Sequence, residues 1–154
     1  MGVKKSVFSS VISGKKKIAL DSSILIYHLE DINPFSSLTQ HLFAEIGFSN
    51  LICVVPVLCI TELLAKPYQV EDLQKVKACE EFIFSIPTGV LASIDFEVAK
   101  EAARIRGVYN LHTPDALFVA TALKNNCDAF ITNDLALKRV SSKEIEIIIL
   151  DEFL

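Results

Sequence analysis

No two cysteines in this sequence have the C-x-x-C spacing of a redox or zinc motif. Cys53, Cys59, Cys79 and Cys127 lie scattered in apolar or helical-looking surroundings, which reads as reduced packing residues rather than disulfides or zinc ligands. A reducing cytoplasm is the compartment this implies. No apolar run approaches the roughly 20 residues of a membrane helix; the longest is LICVVPVLCI at 51–60. The opening MGVKKSVFSSVISGKKK has no continuous apolar core and no small-residue cleavage site, so it does not read as a signal peptide. MGVKKS fits the N-myristoylation pattern, one short enough to arise by chance. G-x-x-x-x-G-K is absent, since GKKK at 14–17 lacks the first glycine and a preceding strand. Basic residues do not dominate either. Fifteen Lys and Arg against 19 Asp and Glu give a net charge of −4. That argues against a grip on nucleic acid by bulk charge, while leaving room for a local basic patch or a metal ion.

What is present is an alternation. The 154 residues suit one domain, and a chain of about that length buries roughly 70% of its unfolded surface. From Lys17 onward, short β-branched runs alternate with longer helical patterns, the signature of βα units and a parallel sheet. KIAL (17–20), LICVV (51–55), GVLAS (89–93), AFIT (129–132) and IEIIIL (145–150) read as strands covered on both faces. Helical patterns follow in SILIYHLE, at 34–48 and 57–66, and at 70–85. Asp95 is placed to N-cap FEVAKEAARIR, with Gly107 as its C-cap. Thr113 and Pro114 signal the start of a helix running to about Asn125. Residues 1–16 read as a loose N-terminal tail and 17–154 as the folded domain.

Four carboxylates stand out against this frame. Asp21 follows the first strand directly, at the edge where open α/β sheets bind ligands, although capping the next helix would also account for it. Glu62 lies in VLCITELLAK, apolar nearly all round, where a carboxylate needs a partner or a narrow solvent stripe. Asp115 lies in a first helical turn, which the helix dipole alone favours. Asp134 follows AFIT at what should be the same sheet edge as Asp21, or serves an ordinary turn. Like charges about 4 Å apart repel by roughly 4 kcal/mol at an effective dielectric of 20, and a cation turns that cost into binding. An oxygen-only cluster suits Mg²⁺ or Mn²⁺. His28, His41 and His112 have no ligand spacing and read as packing or surface residues.

The segments ALDSSILIY with Asp21, ITELL with Glu62, TPDALFVATAL with Asp115 and FITND with Asp134 resemble the PIN-domain family of metal-dependent ribonucleases, which includes the VapC-type toxins. The resemblance spans nearly all of residues 17–150. It implies a three-layer α/β/α fold with a parallel sheet in the order 3-2-1-4-5. It also implies metal ligation by Asp21, Asp115 and Asp134, with Glu62 binding directly or through water, and Thr132 as a hydroxyl that orients the site. Many relatives carry an aromatic shortly after the fourth acid where this chain has LALKRV, so Asn133 is an alternative to Thr132. The function implied is Mg²⁺- or Mn²⁺-dependent hydrolysis of RNA in the cytoplasm, with an antitoxin protein as a possible partner. Lys138, Arg139, Arg104 and Arg106 are candidates for phosphate contact, or plain surface charge. A homodimer is expected from the apolar helices SLTQHLFAEIGF and KVKACEEFIF. A haloacid-dehalogenase-type phosphatase is excluded, because its motif needs a second aspartate where DSS has Ser23. A non-catalytic RNA- or protein-binding module and a stand-alone processing nuclease stay open as alternatives.

Overall fold

The computed structural model describes residues 2–154; Met1, and with it the start of the MGVKKS pattern, lies outside them. Five strands, β1 (Lys17–Leu20), β2 (Ile52–Pro56), β3 (Gly89–Ala92), β4 (Ala129–Thr132) and β5 (Glu146–Ile149), form one parallel sheet in the order β3-β2-β1-β4-β5. This is the 3-2-1-4-5 order expected. Among the described residues, seven α-helices surround it: α1 (Lys5–Ile12), α2 (Ser22–Leu29), α3 (Phe35–Phe48), α4 (Leu58–Gln69), α5 (Leu73–Ser85), α6 (Phe96–Tyr109) and α7 (Thr113–Lys124). The central β1 and β4 are buried along nearly their whole length, as their unbroken apolar runs require. The edge strand β3 is exposed except at Ala92. No helix among the described residues is long and apolar enough to cross a membrane.

Strand order decides where a ligand can sit. The chain leaves β1 toward β2 on one side and reaches β4 on the other, so the ends of β1 and β4 bound a crevice at the point of reversal. Leu20 pairs with Ile131, which puts Asp21 level with Thr132. The Asp21 N–H closes the ladder by donating to the Ile131 carbonyl at 3.0 Å.

Several boundaries differ from the sequence reading. Residues 5–12 are not a loose tail: α1 buries Phe8 and Ile12, and the Phe8 ring meets Phe153 edge-on at 5.1 Å. The partners of α1 lie in α3 and at the far end of the chain, beyond any local signal. Gly107 sits inside α6, and the helix ends instead at Asn110 in the left-handed region (φ 55°), which asparagine tolerates better than most residues. Thr113 is the first helical residue of α7 and His112 its N-cap, without a side-chain cap bond. Helix α4 runs past Pro67 to Gln69, with that proline buried. Asp95 does cap α6, accepting from the Val98 N–H at 2.9 Å.

Candidate active site

Asp21, Glu62, Asp115 and Asp134 line one cleft of about 500 Å³, together with Ser22, Ser23, Tyr27, Thr61, Phe118 and Asn133 among others. Strands β1 and β4 supply Asp21 and Asp134 from their C-terminal ends. Helix α4, entered from β2, brings Glu62. Helix α7 runs antiparallel to the strand it precedes, so its first turn, carrying Asp115, lies at the same sheet edge.

The first acid is not doing a capping job. Asp21 occupies the N-cap position of α2, yet its carboxylate takes no backbone N–H from that helix. It accepts instead from hydroxyls: Ser22 Oγ at 3.2 Å on Oδ1 and the buried Thr132 Oγ1 on Oδ2. Ser22 Oγ also lies 2.9 Å from Glu62 Oε2, so one hydroxyl ties the first two acids together. Thr132 Oγ1 in turn accepts from the Asp134 N–H at 3.0 Å, joining the fourth acid to the first. Asp134 has a turn role as well, its Oδ1 accepting from the Ala136 N–H at 2.9 Å. Glu62 is exposed rather than enclosed, in a stripe with Thr61, Ala65 and Lys66; of α4, Leu58, Thr61 and Glu62 reach the cleft.

Burial pushes the Asp115 carboxyl above its ordinary range, and the charges of Asp134, Asp21 and Glu62 push it the same way, opposed by His112. A carboxyl that feels three other acids is a member of their cluster. Among the described residues, no three His, Cys, Asp or Glu side chains are close enough to cage an ion. The donor set still fits a hard divalent cation, because every acid offers only oxygen. Cys59, the thiol nearest by charge, is fully buried and hydrogen-bonds the Leu20 carbonyl at 3.8 Å. Burial, then the charges of Asp21 and Glu62, hold that thiol strongly protonated, which removes it as a soft ligand.

The four basic candidates do not gather here. Arg104 is bound to Glu101 at 2.6 Å and Glu144 at 2.8 Å, Lys138 to Glu152, Arg106 to the Thr113 hydroxyl, and Arg139 to the Asn110 carbonyl at 2.9 Å. None of the four lines the cleft, and neither does His28, His41 or His112. Tyr27 does, a residue that sequence reasoning missed. Its hydroxyl accepts from Asn133 Nδ2 at 3.1 Å, and the Asn133 Oδ1 accepts from the Asp151 N–H at 2.8 Å. Asn133 thus braces Tyr27, while Thr132 touches the acids.

VapBC2 from Rickettsia felis, bound to a DNA fragment from its promoter, contains a chain similar in fold at TM-score 0.67 and 14% identity, over 85% of this chain and 96% of that one. DNA-bound VapBC from Salmonella typhimurium gives 0.67 and 15%, over 88% and 98%. FitAcB from Neisseria gonorrhoeae gives 0.64 and 17%, over 86% and 97%. A search of curated proteins finds no match. The sequence profile of the PIN domain matches residues 18–143, a span that runs from β1 through all four acids. This chain belongs to the PIN domain family.

Proposed function

We propose that the protein is a divalent-metal-dependent endoribonuclease, with Asp21, Glu62, Asp115 and Asp134 holding Mg²⁺ or Mn²⁺ and Thr132 orienting Asp21. The observation that carries this reading is the fate of Asp21. It stands where a helix cap is wanted, yet turns its carboxylate to two side-chain hydroxyls that link it to Glu62 and Asp134. A bound divalent ion supplies an activated water and offsets charge at the phosphorus. The chain's own part is to fix the carboxylates. Thr132 and Ser22 hold Asp21 by donating to it, and the Asp134 N–H locks the Thr132 hydroxyl in the donating direction. Membership of the PIN family supports the nuclease class, and RNA as the substrate follows from the family resemblance.

The test is a mixed RNA pool incubated with the purified protein and Mn²⁺ or Mg²⁺, with and without EDTA. Cleavage that EDTA abolishes is expected, while equal cleavage in both rejects the metal mechanism. Cleavage in neither favours a binding module. The similar folds include a chain of a toxin–antitoxin complex from Klebsiella pneumoniae, which supports an antitoxin as the protein partner. Co-expression with the product of an adjacent short reading frame should then yield a complex in which cleavage is suppressed.

A further inference from the structure

The cleft that should take a polyanion contains no cation. No Lys or Arg is among its lining residues, and Arg104, Lys138, Arg106 and Arg139 are committed to Glu101 and Glu144, Glu152, Thr113 and Asn110. Apart from a bound metal ion, what steadies a nucleic acid within the cleft must come from its uncharged side chains. One side chain on the cleft wall has the right chemistry. The Tyr27 ring is stacked on Phe35 with centroids 4.4 Å apart and planes 14° from parallel. Phe35 does not reach the cleft, whereas Tyr27 does, so Phe35 backs the ring from behind. The phenol is fixed at its other end by Asn133, which is itself tethered to the Asp151 backbone. Asn133 immediately precedes Asp134, so the ring and the fourth acid are positioned by the same short segment. A half-buried aromatic braced on one face and at its tip has lost little freedom to lose on binding.

Resting on the ribonuclease reading above, we infer that Tyr27 is the stacking platform for an unpaired nucleobase adjacent to the scissile phosphate, which restricts cleavage to single-stranded segments. Bases present a π-face whatever their identity, so stacking confers strand-state selectivity without a sequence code. A paired base within a helix has both faces occupied and gains nothing from the ring.

The experiment uses the full chain and a short single-stranded RNA with a mapped cleavage site, made also with an abasic ribose at each nucleotide flanking that site. Wild-type protein should lose about tenfold or more in kcat/KM for one abasic position, the size of one base–aromatic stack, mainly in KM. Tyr27→Phe, which keeps the ring but frees its tip from Asn133, should lose less than Tyr27→Leu, which should lose about tenfold on the intact RNA and little further on the abasic one. The same RNA annealed into a duplex should resist the wild-type protein. Wild-type cleavage insensitive to every abasic position overturns the inference without any substitution. So does Tyr27→Leu protein that melts like wild type and cleaves intact RNA equally well. If the wild-type protein cleaves no RNA at all, the functional reading itself falls and takes this inference with it.

Discussion

Asp115 sits under two opposed influences. The first turn of α7 favours its charge by about 0.3–1 kcal/mol, while burial and the neighbouring acids raise its pKa. For a carboxyl raised in the folded state, the stabilising contribution is complete below the unfolded pKa and is lost as pH rises through the folded one. Metal-free wild-type protein should therefore lose stability across the range just above the ordinary carboxylate pKa. Asp115→Asn should flatten that part of the curve and melt at an equal or higher temperature at neutral pH, which urea melts over a pH series will show. In the same variant cleavage should fall by orders of magnitude, and Mn²⁺ should raise the melting temperature less. Asp95→Asn is the control: it keeps a good N-cap for Val98 and should change neither property. Thr132→Val is a different case. It strips a donor from Asp21 and an acceptor from the Asp134 N–H, and each buried polar group left unmatched costs about 1–3 kcal/mol. Its denaturation midpoint and kcat should both drop, and Thr132→Ser should recover both.

Helix α1 carries the clearest test among the elements. Its Phe8 is fully buried against Phe153, so Phe8→Ala should cost about 3–5 kcal/mol, as core aromatic truncations do. A disordered tail would show no change in the denaturant midpoint. The pair formed by Arg104 and Glu144 joins α6 to the turn before β5 at the surface, where such contacts are worth about 0–1 kcal/mol. Arg104→Gln should stay within that range and leave kcat/KM unaltered, because the residue lies outside the cleft. The helix ends show why boundaries were less legible than element types. Gly107 satisfied the local rule for a C-cap, but the helix gained more by carrying on to Tyr109, and Asn110 could take the left-handed turn. Strand positions, set by apolar runs that have only one way to be buried, were read to within a residue or so.

For the whole molecule the expected homodimer is a proposal about surface. The two apolar helices named for it, α3 and α5, spend most of their apolar residues on the core, namely Leu38, Leu42 and Ile46, and Val76, Cys79 and Ile83. They leave Phe48 and Phe84 exposed at 92% and 75%. Exposed phenylalanines of that extent favour association, so light scattering should report about twice the 17.0 kDa of the chain. A particle of monomer mass over a wide concentration range would contradict it.

The amino-acid order alone determined the strands, the parallel topology and the carboxylates that end β1 and β4, because hydrophobic period and the residue after a strand are local properties. It also marked Glu62 and Asp115 as acids in need of a reason. Only the tertiary structure decided which reason applies. Asp21 could have capped α2, but Thr132, brought alongside by strand pairing from 111 residues away, competes for its carboxylate. Arg104 could have faced a phosphate, but Glu144, 40 residues on, claims it. Tyr27 closes the ALDSSILIY segment, but nothing local marked a role for it, since its partners Phe35 and Asn133 come from a neighbouring helix and the far strand end. Side-chain partners are chosen by proximity in the closed fold. Local sequence fixes what each residue can offer, and chain closure fixes to whom.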